Sequence, residues 1–209
     1  MATKFPDWFT SMIPNFQNHL GPIAGQPELQ ILQIGAYTGD ASEWLTTHII
    51  TGEGARLTDV DTWAGSTDEP VHLQLNWDSV WDHYRTRLQG KPVLPLRMTS
   101  DEYFHFFQPV EQFDVIYVDG DHTKAQVARD ANNAHRALKP DGILAFDDYG
   151  WFGHATGENP RDAIDPFYHY HRHEYTVLSV GHQVWLQKTP PPPEEDLEQQ
   201  PVEDVQSRT

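Results

Sequence analysis

The sequence predicts an α/β fold built on an open, doubly wound, mostly parallel sheet, and three observations carry that prediction. Two short apolar runs, Val115–Val118 and Ile143–Phe146, are rich in β-formers and do not alternate, the pattern of strands buried on both faces. Between them Val127, Ala131, Ala134 and Leu138 recur at spacings of four, three and four, which lays an apolar stripe along one face of a crossover helix. Later, Tyr175–Val180 and Gln183–Gln187 flank Gly181-His182, read as a two-residue hairpin turn that adds an antiparallel pair at the C-terminus.

Composition bounds the rest. The chain has 209 residues, 38% of them hydrophobic and 12% aromatic with 7 Trp, enough for one core. A net charge of −17 argues against a nucleic-acid partner, because gripping phosphate backbones needs a positive field. The absence of Cys excludes disulfides, zinc thiolates and a Cys nucleophile. Neither a membrane span nor a secretion signal is visible, so a cytoplasmic protein without membrane partners is the default expectation. Nothing in the sequence excludes a homo-oligomer.

Taken in order, residues 1–27 are expected to form a helical cap. Phe5, Trp8, Phe9, Met12, Ile13 and Phe16 recur at helical spacing, and Pro14 is expected to interrupt that helix. Leu29–Ile34 reads as the first strand and runs straight into Gly35-Ala36-Tyr37-Thr38-Gly39. Asp40 stands three residues before Glu43, a capping-box spacing at the start of a helix. A strand, a glycine turn and a helix N-terminus make a nucleotide-type binding turn, although the spacing lacks the G-x-G-x-x-G fingerprint of dinucleotide enzymes.

Arg56–Val60 is the second strand, with Asp61 just past its tip, where an acid accepts ribose hydroxyls in sheets of this type. Asp59 competes for the role but lies deeper in the sheet. Thr62–Val71 is expected to line the mouth of a pocket. Trp77, Val80, Trp81, Tyr84 and Leu88 mark a helix, and Val93–Met98 a third strand. Thr99, Ser100 and Asp101 then either cap the next helix or face an adenine edge.

The chemistry concentrates after the fourth and fifth strands, in Asp119-Gly120-Asp121-His122 and Asp147-Asp148-Tyr149. A strand, crossover helix and parallel strand bring Asp119, Asp121, Asp147 and Asp148 to one edge of the sheet. Gathered carboxylates repel unless a cation, a hydroxyl-rich ligand or raised pKa values compensate, and oxygen ligands without Cys suit Mg²⁺, Mn²⁺ or Ca²⁺. The alternative is that Asp121 and Asp148 cap turns. His122 and His72 are the candidate proton acceptors. In Tyr168–His173, the three His point in different directions on a helix, and as a solvated helix end they are expected to need no ligand. Residues 189–209 are Pro-rich and acidic and are expected to be a disordered tail.

The glycine turn, the acid after strand two, VDGDH after strand four, FDDY after strand five and the DTWAGS segment resemble the class I S-adenosylmethionine-dependent methyltransferases. Within these, the chain is most similar to the small-molecule O-methyltransferase-like branch. The resemblance spans roughly residues 28–188, taken as the methyltransferase domain. It implies a Rossmann-like, seven-stranded sheet with a reversed last strand, and S-adenosylmethionine as cofactor. It places the cofactor on Gly35, Ala36, Tyr37, Gly39 and Asp61, with Ser100, Asp119, Asp121 and His122 bordering it. In metal-dependent members similar carboxylates hold a divalent ion, here Asp119, Asp147 and Asp148, so that Asp119 and His122 stand as catalytic residues. The implied acceptor is a small hydroxylated molecule. Gln33 departs from the family, where many members carry Glu. That departure keeps open a binding protein that has lost its chemistry; a nicotinamide-dependent oxidoreductase is the remaining rival.

Overall fold

The computed structural model describes residues 5–65, 72–152 and 157–190. The expectations for residues 66–71 at the pocket mouth and 191–209 in the tail lie outside the described residues.

Seven strands form one sheet: β1 (Gln30–Ile34), β2 (Arg56–Asp61), β3 (Val93–Arg97), β4 (Phe113–Val118), β5 (Leu138–Phe146), β6 (Tyr175–Val180) and β7 (Val184–Lys188). Their order is β3-β2-β1-β4-β5-β7-β6. The first five are parallel, and β7 runs antiparallel to both β5 and β6. The expected doubly wound sheet with an antiparallel C-terminal pair is therefore the observed one. The switch in direction of winding falls between β1 and β4, where an open sheet leaves a crevice at the C-terminal ends of its strands.

Six α-helices among the described residues cover it: α1 (Ile13–Leu20), α2 (Asp40–His48), α3 (Trp77–Arg87), α4 (Ser100–Phe107), α5 (Lys124–Ala137) and α6 (Arg161–His171). Successive residues of β1 serve opposite faces, as the period of a strand requires. Leu32 and Ile34 join Tyr103, Phe104, Val127, Ala131, Ala134, Ile164 and Phe167 from α4, α5 and α6. Leu29 and Ile31 instead meet Phe16, Leu20, Ala41 and Leu45 from α1 and α2. Phe16 is fully buried, edge-on to Tyr117 and Trp185 at 5.0 and 5.1 Å between ring centroids, and anchors the N-terminal segment on the sheet. No helix among the described residues is long and apolar enough to cross a membrane.

Local chemistry moved several boundaries. Pro14 sits in the first turn of α1 instead of interrupting it, where its missing N–H costs nothing. Asp40 is not the cap of α2; Gly39, left-handed at φ 81°, takes that place, and Asp40 is the first helical residue, paired with Arg87. Asp61 closes β2 instead of following it. Asp141, at φ 61°, and Gly142 lie inside β5, where its register against β4 shifts. Val180 pairs with Val184, so the hairpin loop has three residues, with Gly181 N–H donating to the Gln183 carbonyl at 2.8 Å.

Candidate functional site at the C-terminal edge of the sheet

Gly35 is the hinge between strand and site. Its φ is 85°, and a Cβ there would come within 1.7 Å of the Asp119 carbonyl oxygen, so only glycine lets the β1 and β4 loops pass this closely. Gly35 N–H donates to the Val60 carbonyl at 2.9 Å, and Asp119 N–H donates to Ile34 at 2.8 Å. Three loops, after β1, β2 and β4, are thus sewn together at one point.

Asp61 organises the glycine turn. Its Oδ2 accepts from Ala36 and Tyr37 N–H at 2.8 and 2.9 Å, and Oδ1 accepts from Trp63 N–H at 2.6 Å. Three of the roughly four lone-pair positions of a carboxylate are therefore spoken for, a structural duty the sequence did not announce. Trp63, wholly buried, donates Nε1–H to the Tyr37 carbonyl at 2.8 Å and locks the turn from the other side. Tyr37 stacks on Trp8 of the N-terminal segment, with centroids 4.7 Å apart. Asp59, as expected, lies deeper: it is fully buried, accepts from the Tyr84 hydroxyl at 2.7 Å, and burial pushes its carboxyl up to about 7. Gln33, also buried, donates to the Gly35 carbonyl at 2.8 Å and leaves its Oε1 without a hydrogen-bond partner. An orphaned acceptor beneath a glycine turn suits a ligand that carries donors, such as the ammonium group or ribose of S-adenosylmethionine, and the turn fits that cofactor.

The acidic cluster forms one step along the edge. Tyr117, on β4, donates to Asp147 and lies 3.3 Å from Asp119 Oδ2, bridging the two loops. Gln183 Nε2 reaches Asp147 Oδ2 at 3.2 Å, while its Oε1 accepts from Trp185 Nε1 at 3.0 Å and from Asn15 Nδ2 at 3.1 Å. His122 Nε2 lies 3.0 Å from Asp148 Oδ2, and His182 Nε2 lies 3.2 Å from Asp148 Oδ1 and 3.8 Å from Asp147 Oδ1. Asp148 adopts φ 55°, strained for a non-glycine residue, and its N–H is held by Asp147 Oδ1 at 2.8 Å. Burial raises Asp119, with Asp147 and Asp148 adding repulsion; burial likewise raises Asp147, with Asp148 adding to it. Potential ligand atoms of Asp119, His122 and Asp148, and separately of Asp147, Asp148 and His182, lie within 4.8 Å of one another. Three carboxylates with imidazoles at the rim match a hard or borderline divalent cation.

Not every expected residue joined. Asp121 is exposed and its Oδ1 accepts from Thr123 N–H at 2.7 Å: it holds the turn, the alternative foreseen for an Asp after a strand. Thr99 caps α4 in a full capping box with Glu102, and the buried Ser100 hydroxyl accepts from Gln126 Nε2 at 3.0 Å, tying α4 to α5. His72 sits away from the acids in an aromatic cluster with Trp8, Tyr37 and Trp77. His182 and Gln183 were missed because both read as hairpin residues. Only the antiparallel pairing of Phe146 with Val184 shows that the loop after β6 abuts the end of β5. A groove of about 490 Å³ between α4 and α5, lined by Asp101, Phe104, His105, Gln108, Asn133 and Arg136, contains none of these residues.

The comparisons with known proteins agree with this fold. A family model described as a methyltransferase domain matches residues 32–149, from within β1 to Tyr149. No curated protein matches the chain. Among solved structures, the O-methyltransferase from Bacillus cereus in complex with SAH is 18% identical, covering 88% of this chain and 83% of its own, with a TM-score of 0.60. An S-adenosylmethionine dependent methyltransferase from Mesorhizobium loti is 14% identical over 86% of this chain and 99% of its own, TM-score 0.59. MycE methyltransferase from the mycinamycin biosynthetic pathway, in complex with Mg, SAH and mycinamycin VI, is 14% identical over 88% of this chain and 51% of its own, TM-score 0.60. At these identities the neighbours share the fold. The family match spans more than half of the sequence, from the first strand through both acidic loops, and the chain belongs to the methyltransferase domain family.

Proposed function

We propose that this protein is an S-adenosylmethionine-dependent O-methyltransferase for a small hydroxylated acceptor, of sugar, phenolic or natural-product type, assisted by a divalent cation at Asp119, Asp147 and Asp148. One observation carries the reading: the loops after β4 and β5 deliver three carboxylates and His122 to the edge that also holds the glycine turn, with Gly35 packed on Asp119. S-adenosylmethionine supplies an electrophilic methyl group for in-line displacement, which leaves the protein the work of orientation and exclusion of water. A divalent cation supplies Lewis-acid stabilisation of the acceptor oxygen as it loses its proton.

The chain's own residues divide the remaining tasks. Gly35, Ala36, Tyr37 and Gly39 shape the cofactor turn, and Asp61 sets the direction of its N–H groups. Tyr117 and Gln183 hold Asp147 in place by donating to it. His122 and His182 each face Asp148 through Nε2, which makes that nitrogen the donor and leaves Nδ1 as the one that would take a proton. Two structural neighbours in complex with SAH, one of them also with Mg and mycinamycin VI, support the reading by analogy of fold. The test is a panel of sugars, catechols and polyhydroxylated natural products incubated with methyl-labelled S-adenosylmethionine, with and without chelator. Label transfer that chelator abolishes is expected. Cofactor binding with no transfer to any class of acceptor would favour a binding protein on the same fold.

A further inference from the structure

At the opposite end of β5 from the acidic site, a second cluster of ligand-type side chains converges from three elements. His135 comes from the last turn of α5, His171 ends α6, and Glu174 lies in the turn before β6. His171 Nδ1 lies 2.7 Å from Glu174 Oε1, and His135 Nε2 lies 3.5 Å from Glu174 Oε2. One ligand atom from each residue falls within 4.8 Å of the others. We propose that His135, His171 and Glu174 bind a borderline-soft divalent ion, Zn²⁺ in the first place, that staples α5, α6 and β6 together.

Four features separate this from a chance cluster of polar side chains. The donor set, two imidazoles and one carboxylate without Cys, is one that Zn²⁺ accepts and Mg²⁺ does not favour. Tetrahedral Zn²⁺ with bonds of about 2.0–2.1 Å needs ligand atoms roughly 3.3 Å apart. The His135–Glu174 separation already meets that, and the His171–Glu174 hydrogen bond must open by about half an ångström. His135 is oriented by a second contact: its Nδ1 pairs with the buried Tyr175 hydroxyl at 3.0 Å, which leaves Nε2 directed at Glu174. Phe167 packs against both imidazoles, with centroids 6.3 and 4.9 Å away, and His171 is itself buried. The groups facing the cluster are already committed. Lys188 Nζ donates to the carbonyls of His135 and Leu138 at 2.9 and 3.0 Å, and exposed His173, 3.6 Å from Glu174 Oε1, offers a fourth donor.

The test is a melting experiment on the full chain with Zn²⁺ alone, in wild type, His135→Gln, Glu174→Gln and, as a control for the acidic site, Asp147→Asn. One equivalent of Zn²⁺ is expected to raise the melting temperature of wild type and Asp147→Asn by several degrees, reversibly by chelator, and to leave the other two variants unmoved. Co²⁺ should give the intense visible band of tetrahedral coordination in wild type and lose it in Glu174→Gln. Independently of any variant, the ring nitrogen resonances of His135 and His171 should shift together on adding one equivalent of Zn²⁺. No melting shift in wild type, the same shift in His135→Gln and Glu174→Gln, or unmoved ring resonances would each overturn the proposal.

Discussion

His182 Nε2 lies 3.2 Å from Asp148 Oδ1, which makes the loop between β6 and β7 a wall of the acidic site. The antiparallel hairpin thereby does more than complete the sheet. Through Gln183 and Trp185 it also connects the site to Phe16 and Asn15 on α1, because Gln183 bonds Asp147, Trp185 and Asn15 at once. The N-terminal helix and the C-terminal hairpin jointly support the loop that carries Asp147.

Asp61→Ala should weaken binding of S-adenosylhomocysteine by about 10- to 100-fold, the equivalent of losing charged hydrogen bonds worth about 1.5–3 kcal/mol. The variant frees Ala36, Tyr37 and Trp63 N–H at once, so the turn loses its order together with its acceptor. Calorimetry checks this, and unchanged affinity would remove Asp61 from the cofactor site.

Gly35→Ala should destabilise the fold by about 3–5 kcal/mol, adding left-handed strain to a clash that the Asp119 backbone cannot easily escape. Urea unfolding measures it. A loss under about 1 kcal/mol would mean that the β4 loop yields freely, against the rigid junction described here.

Stability should fall as pH rises from about 4 to about 7. Asp59 is raised to about 7 and Asp130 to about 6, chiefly by burial, while in the unfolded chain both ionise near the ordinary carboxylate value. The folded state therefore binds more protons in that window, and the stability present below it is lost as the pH passes through the folded values. Asp59→Asn keeps an acceptor for Tyr84 and cannot ionise. Its melting temperature relative to wild type should climb between about pH 4 and pH 7 and level off above, by an amount corresponding to at most about 4 kcal/mol. A constant difference across that range would show that Asp59 is ionised in the fold.

Most of the fold was legible because its signals are local and repeated: the apolar runs of β4 and β5, the glycine turn and the α5 stripe of Val127, Ala131 and Ala134 fall where the spacing places them, whereas Leu138, expected on the same helix face, is extended and opens β5. The carboxylates Asp119, Asp147 and Asp148 were legible for the same reason, since parallel strands deliver their C-terminal ends to one edge. What the sequence hid depends on pairing across long separations. His182 faces Asp148 only through the register of β5 with β7, and His171 meets His135 only because α5 and α6 pack together. For Asp121 the sequence offered two roles, and of these the structure shows the turn cap, its Oδ1 accepting from Thr123 N–H.

Calorimetric titration of the S-adenosylhomocysteine-loaded protein with Mg²⁺ tests directly whether the acidic edge holds a hard cation beside the cofactor. One Mg²⁺ per chain is expected in wild type, at least tenfold weaker binding in Asp147→Asn and Asp148→Asn, and unchanged binding in Glu174→Gln, with S-adenosylhomocysteine affinity kept in all three. Absence of Mg²⁺ binding in wild type, or equal affinity in the Asp147 and Asp148 variants, would contradict this and leave those carboxylates as turn caps or direct contacts to the acceptor.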